Sequence, residues 1–202
     1  MEGATQMVTE FSKSICYLER IIGRNCYNVA TRRHYRYPVR YRVNGKLYEC
    51  SSLAKVPEES IDSMHYQFGS NTLYIGKALK EIIDYLETQD YDAGLMLLYD
   101  SNGDEIEYAD VISALEIKIA HNCYSQEFHR KFRYPVHYRK NSIRYIAKGH
   151  AEIINSSIYS MYYEFGANLL HIGKALDEML GFISDNYPSI SALDYIDPFE
   201  EV

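Results

Sequence analysis

The sequence contains no tryptophan, and its four cysteines show no spacing that is typical of a metal site. Cys16, Cys26, Cys50 and Cys123 include no CxxC pair, so neither a metal nor a disulfide is needed to explain them. No apolar run approaches the roughly 18 residues that a membrane span requires. Because residues Met1–Phe11 do not form a basic and then apolar leader, we expect a cytoplasmic protein without a membrane segment.

Motifs of the common enzyme classes are also missing. The chain has no GxSxG, no P-loop, no HExxH and no dinucleotide-binding glycine pattern after a strand. Residues 100–104 resemble the start of a calcium loop, but the sixth and twelfth positions are Glu105 and Val111 instead of Gly and Glu. We therefore expect a protein that is not an enzyme and that has no catalytic residues, no cofactor and no metal.

The sequence does contain an internal repeat at a shift of 97 residues. Residues 18–87 align without a gap with residues 115–184, and about thirty of the seventy positions are identical. The segments RYPV and IGKAL occur in both copies. We therefore predict a tandem duplication, with a first repeat at 1–93, a connecting hairpin at 94–109 and a second repeat at 110–202.

The periodicity changes in the same order within each repeat. In the first, apolar residues recur every three or four positions from Phe11 to about Thr31, which predicts a helix. Residues Arg36–Val43 then alternate between arginine or proline and apolar or tyrosine side chains, as a half-buried strand does. Asn44-Gly45 predicts a two-residue turn into a second strand at Lys46–Cys50.

A third strand and a second helix complete each repeat. Positions that are identical in both copies alternate with changed ones across Ile61–Phe68, which favours a strand. We expect Asn71, after the break at Gly69, to cap the second helix, and Gly76 or Gly173 to pack closely against the sheet. Further strands are predicted at 95–99, 105–108 and 190–196. The predicted fold is α+β, with two pseudo-twofold-related α-β-β-β-α units and antiparallel sheets.

Positive charge is concentrated, although the chain carries a formal net charge of −7. Residues 32–46 and 130–148 together hold 13 of the 21 Lys and Arg residues and no Asp or Glu. Strand alternation places these cations opposite the tyrosines, so we expect a solvent-facing row, and a guanidinium binds phosphate or carboxylate through two donors. The predicted partner- or phosphate-binding residues are Arg33, Arg36, Arg40, Arg42, Arg130, Arg133, His137, Arg139, Lys140 and Arg144. Ion pairing with acidic helices of the same chain is the open alternative.

Tyrosine is abundant, with 21 residues in the chain. We expect most of them to be core residues of a small sheet, as Tyr37, Tyr41, Tyr48, Tyr66 and their counterparts in the second repeat would be. Tyrosines at positions that differ between the copies are better candidates for contact with a partner, because aromatic side chains are enriched at interfaces. These candidates are Tyr35, Tyr74, Tyr159 and Tyr162.

The element order α-β-β-β-α resembles that of double-stranded-RNA-binding domains. That family grips phosphates with a cluster of lysines at the start of its second helix, where this chain has only Lys77 and Lys174. The basic residues of this chain lie instead on the predicted strands. We therefore do not assign the family, since a shared element order without the site is an analogy.

Two functions remain from this pattern. The first is a protein-binding inhibitor or adaptor, such as phages use against a nucleic-acid-processing or defence complex, with basic strand faces and acidic surfaces that include Asp194–Glu201. The alternative is an RNA- or DNA-binding protein whose duplicated arginines contact phosphates. We favour protein binding, because a net charge of −7 repels nucleic acid in general. A nucleoprotein partner and a homodimer formed through a strand edge stay open.

Overall fold

The computed structural model of the chain describes residues 10–50, 56–88, 102, 107–147, 153 and 155–185. These residues form helices and short antiparallel strand pairs, so the predicted α+β class with antiparallel sheets is confirmed. The strands predicted at 95–99 and 190–196, residues 105–106 of a further predicted strand, and the acidic end lie outside the described residues. The end of the strand predicted at 105–108 was wrong, because Tyr108 is the first residue of a helix. Of the helices within these ranges, none is both long enough and apolar enough to cross a bilayer.

Four α-helices pack around one another. They are α1 at Glu10–Arg24, α2 at Ile75–Glu87, α3 at Tyr108–Ala120 and α4 at Ile172–Asp185. Helices α1 and α3 each contact both α2 and α4. Their apolar stripes, such as Ile15, Leu18 and Ile22 in α1, are fully buried in one hydrophobic cluster that includes residues of all four helices. This burial explains why a spacing of three and four residues predicted the helices.

The strands are short, and each half of the chain contributes six of those in the described residues. The first six are β1 at Cys26–Asn28, β2 at Arg33–His34, β3 at Arg40–Val43, β4 at Lys46–Glu49, β5 at Tyr66–Phe68 and β6 at Asn71–Leu73. The next six are β7 at Cys123–Ser125, β8 at Arg130–Lys131, β9 at His137–Lys140, β10 at Ile143–Ile146, β11 at Tyr163–Phe165 and β12 at Asn168–Leu170. Two 3-10 helices, Glu58–Ser63 and Asn155–Ser160, precede β5 and β11.

Two four-stranded sheets each combine strands from both halves of the chain. One has the order β11-β12-β1-β2, and the other has the order β5-β6-β7-β8. Cys26 of β1 lies opposite Leu170 of β12, and Leu73 of β6 lies opposite Cys123 of β7. The pairs β3–β4 and β9–β10 form separate two-stranded hairpins. Neither four-stranded sheet can therefore be completed by one half of the chain alone.

Four local predictions were wrong. The strand predicted over Arg36–Val43 begins only at Arg40. The helix predicted over Phe11–Thr31 ends at Arg24, because the residues that follow pair with β12. The start of Ile61–Phe68 belongs to a 3-10 helix, and the strand there begins only at Tyr66. Asn71 does not cap a helix, since it lies in β6. In the last three cases a short strand or turn depends on a distant partner that local periodicity does not show.

The glycine near the start of α2 and that near the start of α4 pack closely, as predicted, but their neighbour is different. A Cβ on Gly76 would lie 1.9 Å from the carbonyl oxygen of Ile61, and one on Gly173 would lie 1.8 Å from that of Ile158. Both carbonyls belong to the 3-10 helices, so the predicted contact with a sheet was wrong. Only a residue without a Cβ allows this approach.

Candidate partner-binding site on two hairpins

Two hairpins carry six of the ten predicted binding residues. We call residues Arg40–Glu49, which contain β3 and β4, the first hairpin, and residues His137–Ile146, which contain β9 and β10, the second hairpin. Each turns through two residues with positive φ, Asn44-Gly45 in the first and Asn141-Ser142 in the second. Turns of this kind match the twist of the strands that they join, which explains why two residues suffice.

The outer strand of each hairpin is exposed at all four positions. In β10 the exposed fractions of Ile143 and Ile146 are 59% and 53%, and in β4 Leu47 is 49% exposed. Tyr48 and Tyr145 are also exposed, so their predicted place in the core was wrong. Each packs its ring on the tyrosine across its own hairpin and leaves the other side open. Each hairpin therefore presents apolar side chains to solvent, an arrangement typical of interaction sites.

Four cations on the hairpins have no acidic partner within the described residues. Arg42 donates from Nη1 to the carbonyl oxygen of its own turn over 3.0 Å, and Arg139 does so over 3.3 Å. Lys46 and Lys140 are exposed, and no ion pair to a described residue involves them. These four residues, which we call the free cations, leave positive charge that an acidic partner could use.

The other two arginines of the hairpins are already paired. Arg40 lies 3.7 Å from Glu49 of the same hairpin, with both side chains partly exposed. Arg144 lies 2.6 Å from Glu164 of β11, and these side chains are also partly exposed. Surface pairs of this kind contribute about 0 to 1 kcal/mol, so a partner could compete for them.

Arg36 and Arg133 are already paired with acidic residues, although Arg36 is partly exposed and Arg133 is exposed. Arg36 pairs with Glu19 of α1, which is fully buried, and the Tyr66 hydroxyl donates to the other carboxylate oxygen. The second half repeats this arrangement with Arg133, Glu116 and Tyr163, the Arg133–Glu116 distance being 3.0 Å. We call these two groups the buried triads. In each triad the arginine is paired with a glutamate of the same chain, so its charge is already compensated within the protein.

Burial determines the acid–base properties of the buried triads. It raises the pKa of the Glu19 carboxyl above its usual value, although the Arg36 guanidinium and the Tyr66 hydroxyl oppose the rise. Burial likewise raises the pKa of Glu116. It also raises the pKa of Tyr66 and that of Tyr163, so both phenols stay protonated and act as hydrogen-bond donors. The buried triads are thus neutralised, hydrogen-bonded supports of the fold.

His137 and Tyr162 were both predicted to be accessible, but the structure buries them. Their rings stack with centroids 5.3 Å apart, and the Arg144 guanidinium lies over Tyr162 at 5.8 Å. Burial, with Arg144 beside the ring, lowers the pKa of His137, which keeps it neutral at pH 7. His137 therefore adds no positive charge to the second hairpin.

The remaining predicted residues lie apart from the hairpins. Arg33 and Arg130 are exposed on β2 and β8, at the outer edges of the two four-stranded sheets. Tyr35, Tyr74 and Tyr159 are exposed, as predicted. The Tyr159 hydroxyl donates to Asp177 of α4. The structure therefore does not gather the predicted residues into one site, and only the members of each single hairpin lie together.

An aromatic cluster joins the two halves of the chain. Phe68 and Phe165 stack with ring centroids 3.9 Å apart and nearly parallel planes. Tyr37 and Tyr134 each pack edge-on against both phenylalanines. A groove with a volume of about 420 Å³ lies beside the four rings, with Glu164 among its lining residues. Because the four rings already pack against one another, we interpret this cluster as part of the packing that stabilises the fold.

Sequence reasoning missed the two glutamates of the buried triads. Glu19 and Glu116 align in the repeat and are identical, and each follows a leucine of the apolar stripe. An acidic residue that is kept in both copies beside a buried stripe was a usable signal. Arg36 and Arg133 are also identical, but strand alternation does not show that they pair with these glutamates.

The described residues contain no cluster of His, Cys, Asp or Glu that could hold a metal ion. The chain matches no protein-family model, and comparisons with curated proteins and with solved structures also found no match. We therefore infer function from the geometry of the two hairpins.

Proposed function

We propose that the chain is a tandem duplication whose two repeats share their sheets around a pseudo-twofold axis. The equal spacing of elements supports this: β1 begins at Cys26, and β7 begins 97 positions later at Cys123. Reciprocal contacts between the halves support it further. Asn25 donates to Glu178 over 3.1 Å, and Asn122 donates to Glu81 over 3.1 Å. In this arrangement each repeat contributes one hairpin.

The function that we propose is that of a non-enzymatic protein-binding protein, an inhibitor or adaptor. The observation that carries this proposal is the composition of the hairpins, where exposed apolar side chains stand directly beside the free cations. A phosphate backbone offers no apolar surface against which Leu47, Ile143 and Ile146 could be buried. A partner that buries them and neutralises Arg42 and Arg139 would be a protein with an apolar and acidic surface.

Two hairpins on one chain also favour a partner with two related contact points, such as a symmetric or duplicated protein. Linking two contacts raises affinity without any new interaction at either one, provided that both can be reached at once. The free cations occur in both hairpins, Arg42 aligning with Arg139 in the repeat. A partner with a single contact point would use only one of them.

The alternative function is RNA or DNA binding, for which Arg33 and Arg130 add two exposed cations outside the hairpins. Phosphate contacts would make the affinity fall steeply with salt concentration. Of the ten residues predicted to bind a partner or phosphate, Arg36 and Arg133 are paired with buried glutamates, which weakens the case for nucleic acid. We therefore keep nucleic acid as an outcome of the test.

The test compares two charge-reversal variants of the full chain in a pull-down from host extract, with and without nuclease. The first variant carries Arg42→Glu and Arg139→Glu, which remove a free cation from each hairpin. The matched control carries Lys77→Glu and Lys174→Glu, which make the same change in charge at exposed positions of α2 and α4.

A protein that survives nuclease, is captured by the wild type and the control, and is lost from the hairpin variant would support the proposal. Capture of nucleic acid that is lost from the hairpin variant would support the alternative. Equal capture by the hairpin variant and the wild type would contradict both, because neither account leaves the free cations without a role.

A further inference from the structure

We propose that β10 is an open edge onto which an extended, acidic segment of the partner protein adds as a strand. This inference rests on the proposed protein-binding function and names how that binding occurs. Among the described residues β10 pairs only with β9, so one side of its backbone has no strand neighbour. Exposed edges of this kind can accept a further strand through main-chain hydrogen bonds.

The register identifies the backbone groups that are free. Ile143 lies opposite Lys140 across the two-residue turn, and Tyr145 lies opposite Tyr138. In a hairpin with a two-residue turn the closing pair is hydrogen-bonded and the pairs then alternate, so Ile143 and Tyr145 bond to β9. The N–H and C=O groups of Arg144 and Ile146 therefore point to the open side.

The two ends of β10 lack the charged residues that commonly protect an edge strand. Proteins commonly place charged residues on exposed edge strands to prevent pairing with other chains. The aligned strand β4 reads KLYE and has Lys46 and Glu49 at its ends, whereas β10 reads IRYI and has Ile143 and Ile146 at the same places. Both isoleucines are more than half exposed. The difference between the copies thus points to β10 as the acceptor edge.

Charge indicates the class of segment that fits. The second hairpin contains Arg139, Lys140 and Arg144 and no acidic residue. Arg144 is paired with Glu164, but Arg139 and Lys140 keep their charge free. A strand that alternates acidic with β-branched residues would place its carboxylates on the face that holds Arg139 and Arg144, and its apolar side chains on the face that holds Ile143 and Tyr145. A second copy of this chain fits less well, because two such hairpins would repel each other.

The experiment uses the full chain and a synthetic peptide of about nine residues that alternates glutamate and valine, a length that covers a typical strand. Backbone amide hydrogen exchange is measured by NMR with and without the peptide. We expect exchange at Arg144 and Ile146 to slow by about tenfold or more. A peptide of the same composition with a central proline is the control, and it should have no effect because proline cannot pair in a ladder.

Two variants exchange the ends of the hairpin strands. Ile143→Lys with Ile146→Glu gives β10 the ends of β4, and we expect the peptide effect to disappear. Lys46→Ile with Glu49→Ile gives β4 the ends of β10, and we expect the amides of residues 47 and 49 to become protected by the peptide. A variant that fails to fold could lose the peptide effect, but it could not gain one. The expected gain at β4 therefore separates the proposal from simple misfolding.

The inference is overturned if the peptide leaves Arg144 and Ile146 unchanged, or if the proline peptide acts equally well. It is also overturned if those amides are protected in a dimer without peptide, or if an RNA oligonucleotide protects them and the peptide does not. Loss of partner capture by the Arg42→Glu and Arg139→Glu variant, but not by the β10 variant, would leave protein binding intact and remove only the strand-addition mode.

Discussion

At the scale of single residues, the two hairpin turns differ at one position. Gly45 has φ of 78°, and its counterpart Ser142 has φ of 65°. Glycine adopts positive φ without steric cost, whereas a serine Cβ is crowded there. The sequence indicated this difference, because Asn-Gly is a stronger turn signal than Asn-Ser.

We predict that Ser142→Gly stabilises the protein by about 1 kcal/mol, because it relieves the left-handed strain. The reverse change, Gly45→Ser, should destabilise it by a similar amount. Urea unfolding of the two variants and the wild type measures both effects. A Ser142→Gly variant that is less stable than the wild type would mean that the serine side chain supports the turn.

The buried triads give a prediction about pH. Burial raises the folded-state pKa of Glu116 above the ordinary value of 4.5. The folded protein therefore takes up this proton at a higher pH than the unfolded chain, so the contribution to stability is fully present below pH 4.5 and is lost as the pH rises through the folded pKa. The stability of the wild type relative to Glu116→Gln should thus increase as the pH is lowered from neutral.

Unfolding free energies of both proteins at several pH values between neutral and mildly acidic measure this difference. Glu19→Gln is the matched variant in the first half and should behave in the same way, because burial also raises its pKa. A difference that stays constant, or that shrinks on acidification, would contradict the assignment of desolvation as the dominant cause.

At the scale of elements, the packing of two helices depends on glycines. Gly76 in α2 and Gly173 in α4 each lie against a carbonyl of a 3-10 helix, at separations that no Cβ can occupy. Gly181, later in α4, has no atom within 4 Å of the position that a Cβ would take. The same substitution in one helix should therefore have opposite effects at two positions.

We predict that Gly173→Ala destabilises the protein by about 3 kcal/mol or more, because the backbone must move to admit the methyl group. Gly76→Ala should do the same in α2. Gly181→Ala is the control and should stabilise by up to about 1 kcal/mol, since alanine favours a helix interior. Thermal unfolding compares the three variants, and a tolerated Gly173→Ala would disprove the tight contact.

Elements were predictable from sequence where they carry their own signal. The apolar stripes fixed the helices approximately, and the Asn-Gly turn located the first hairpin, because both signals are local. Strands β1, β2 and β6 were missed because two or three residues show no periodicity, and because β1 and β6 are defined by partners in the other half of the chain. The exposure of Tyr48 and Tyr145 was missed because alternation cannot tell that a hairpin projects from the core.

At the scale of the whole molecule, the shared sheets make the two halves interdependent. Strand β1 needs β12, and β6 needs β7. We predict that residues 1–93 and 94–202, produced separately, combine into a stable one-to-one complex when mixed. Each half alone should be unfolded or self-associated, because its sheets lack their partners. Mass measurement and circular dichroism check this, and two stable monomeric halves that do not associate would contradict it.

The charge pattern of the whole molecule was only partly predictable. The two basic segments of the sequence do reach the surface, but Arg36 and Arg133 are neutralised by buried glutamates and His137 is buried. Sequence alternation assigns a side chain to a face of a strand and cannot show what covers that face. The candidate site is therefore narrower than predicted and consists of the two hairpins with their exposed apolar residues.

We propose that both hairpins contact the same protein partner. The most direct test places a photo-crosslinking amino acid at Tyr48 or Tyr145 in nuclease-treated host extract, with Tyr108 of α3, which is similarly exposed, as the control position. We expect positions 48 and 145 to capture one and the same protein and position 108 not to capture it. Capture of nucleic acid alone in untreated extract, or equal capture from all three positions, would contradict it.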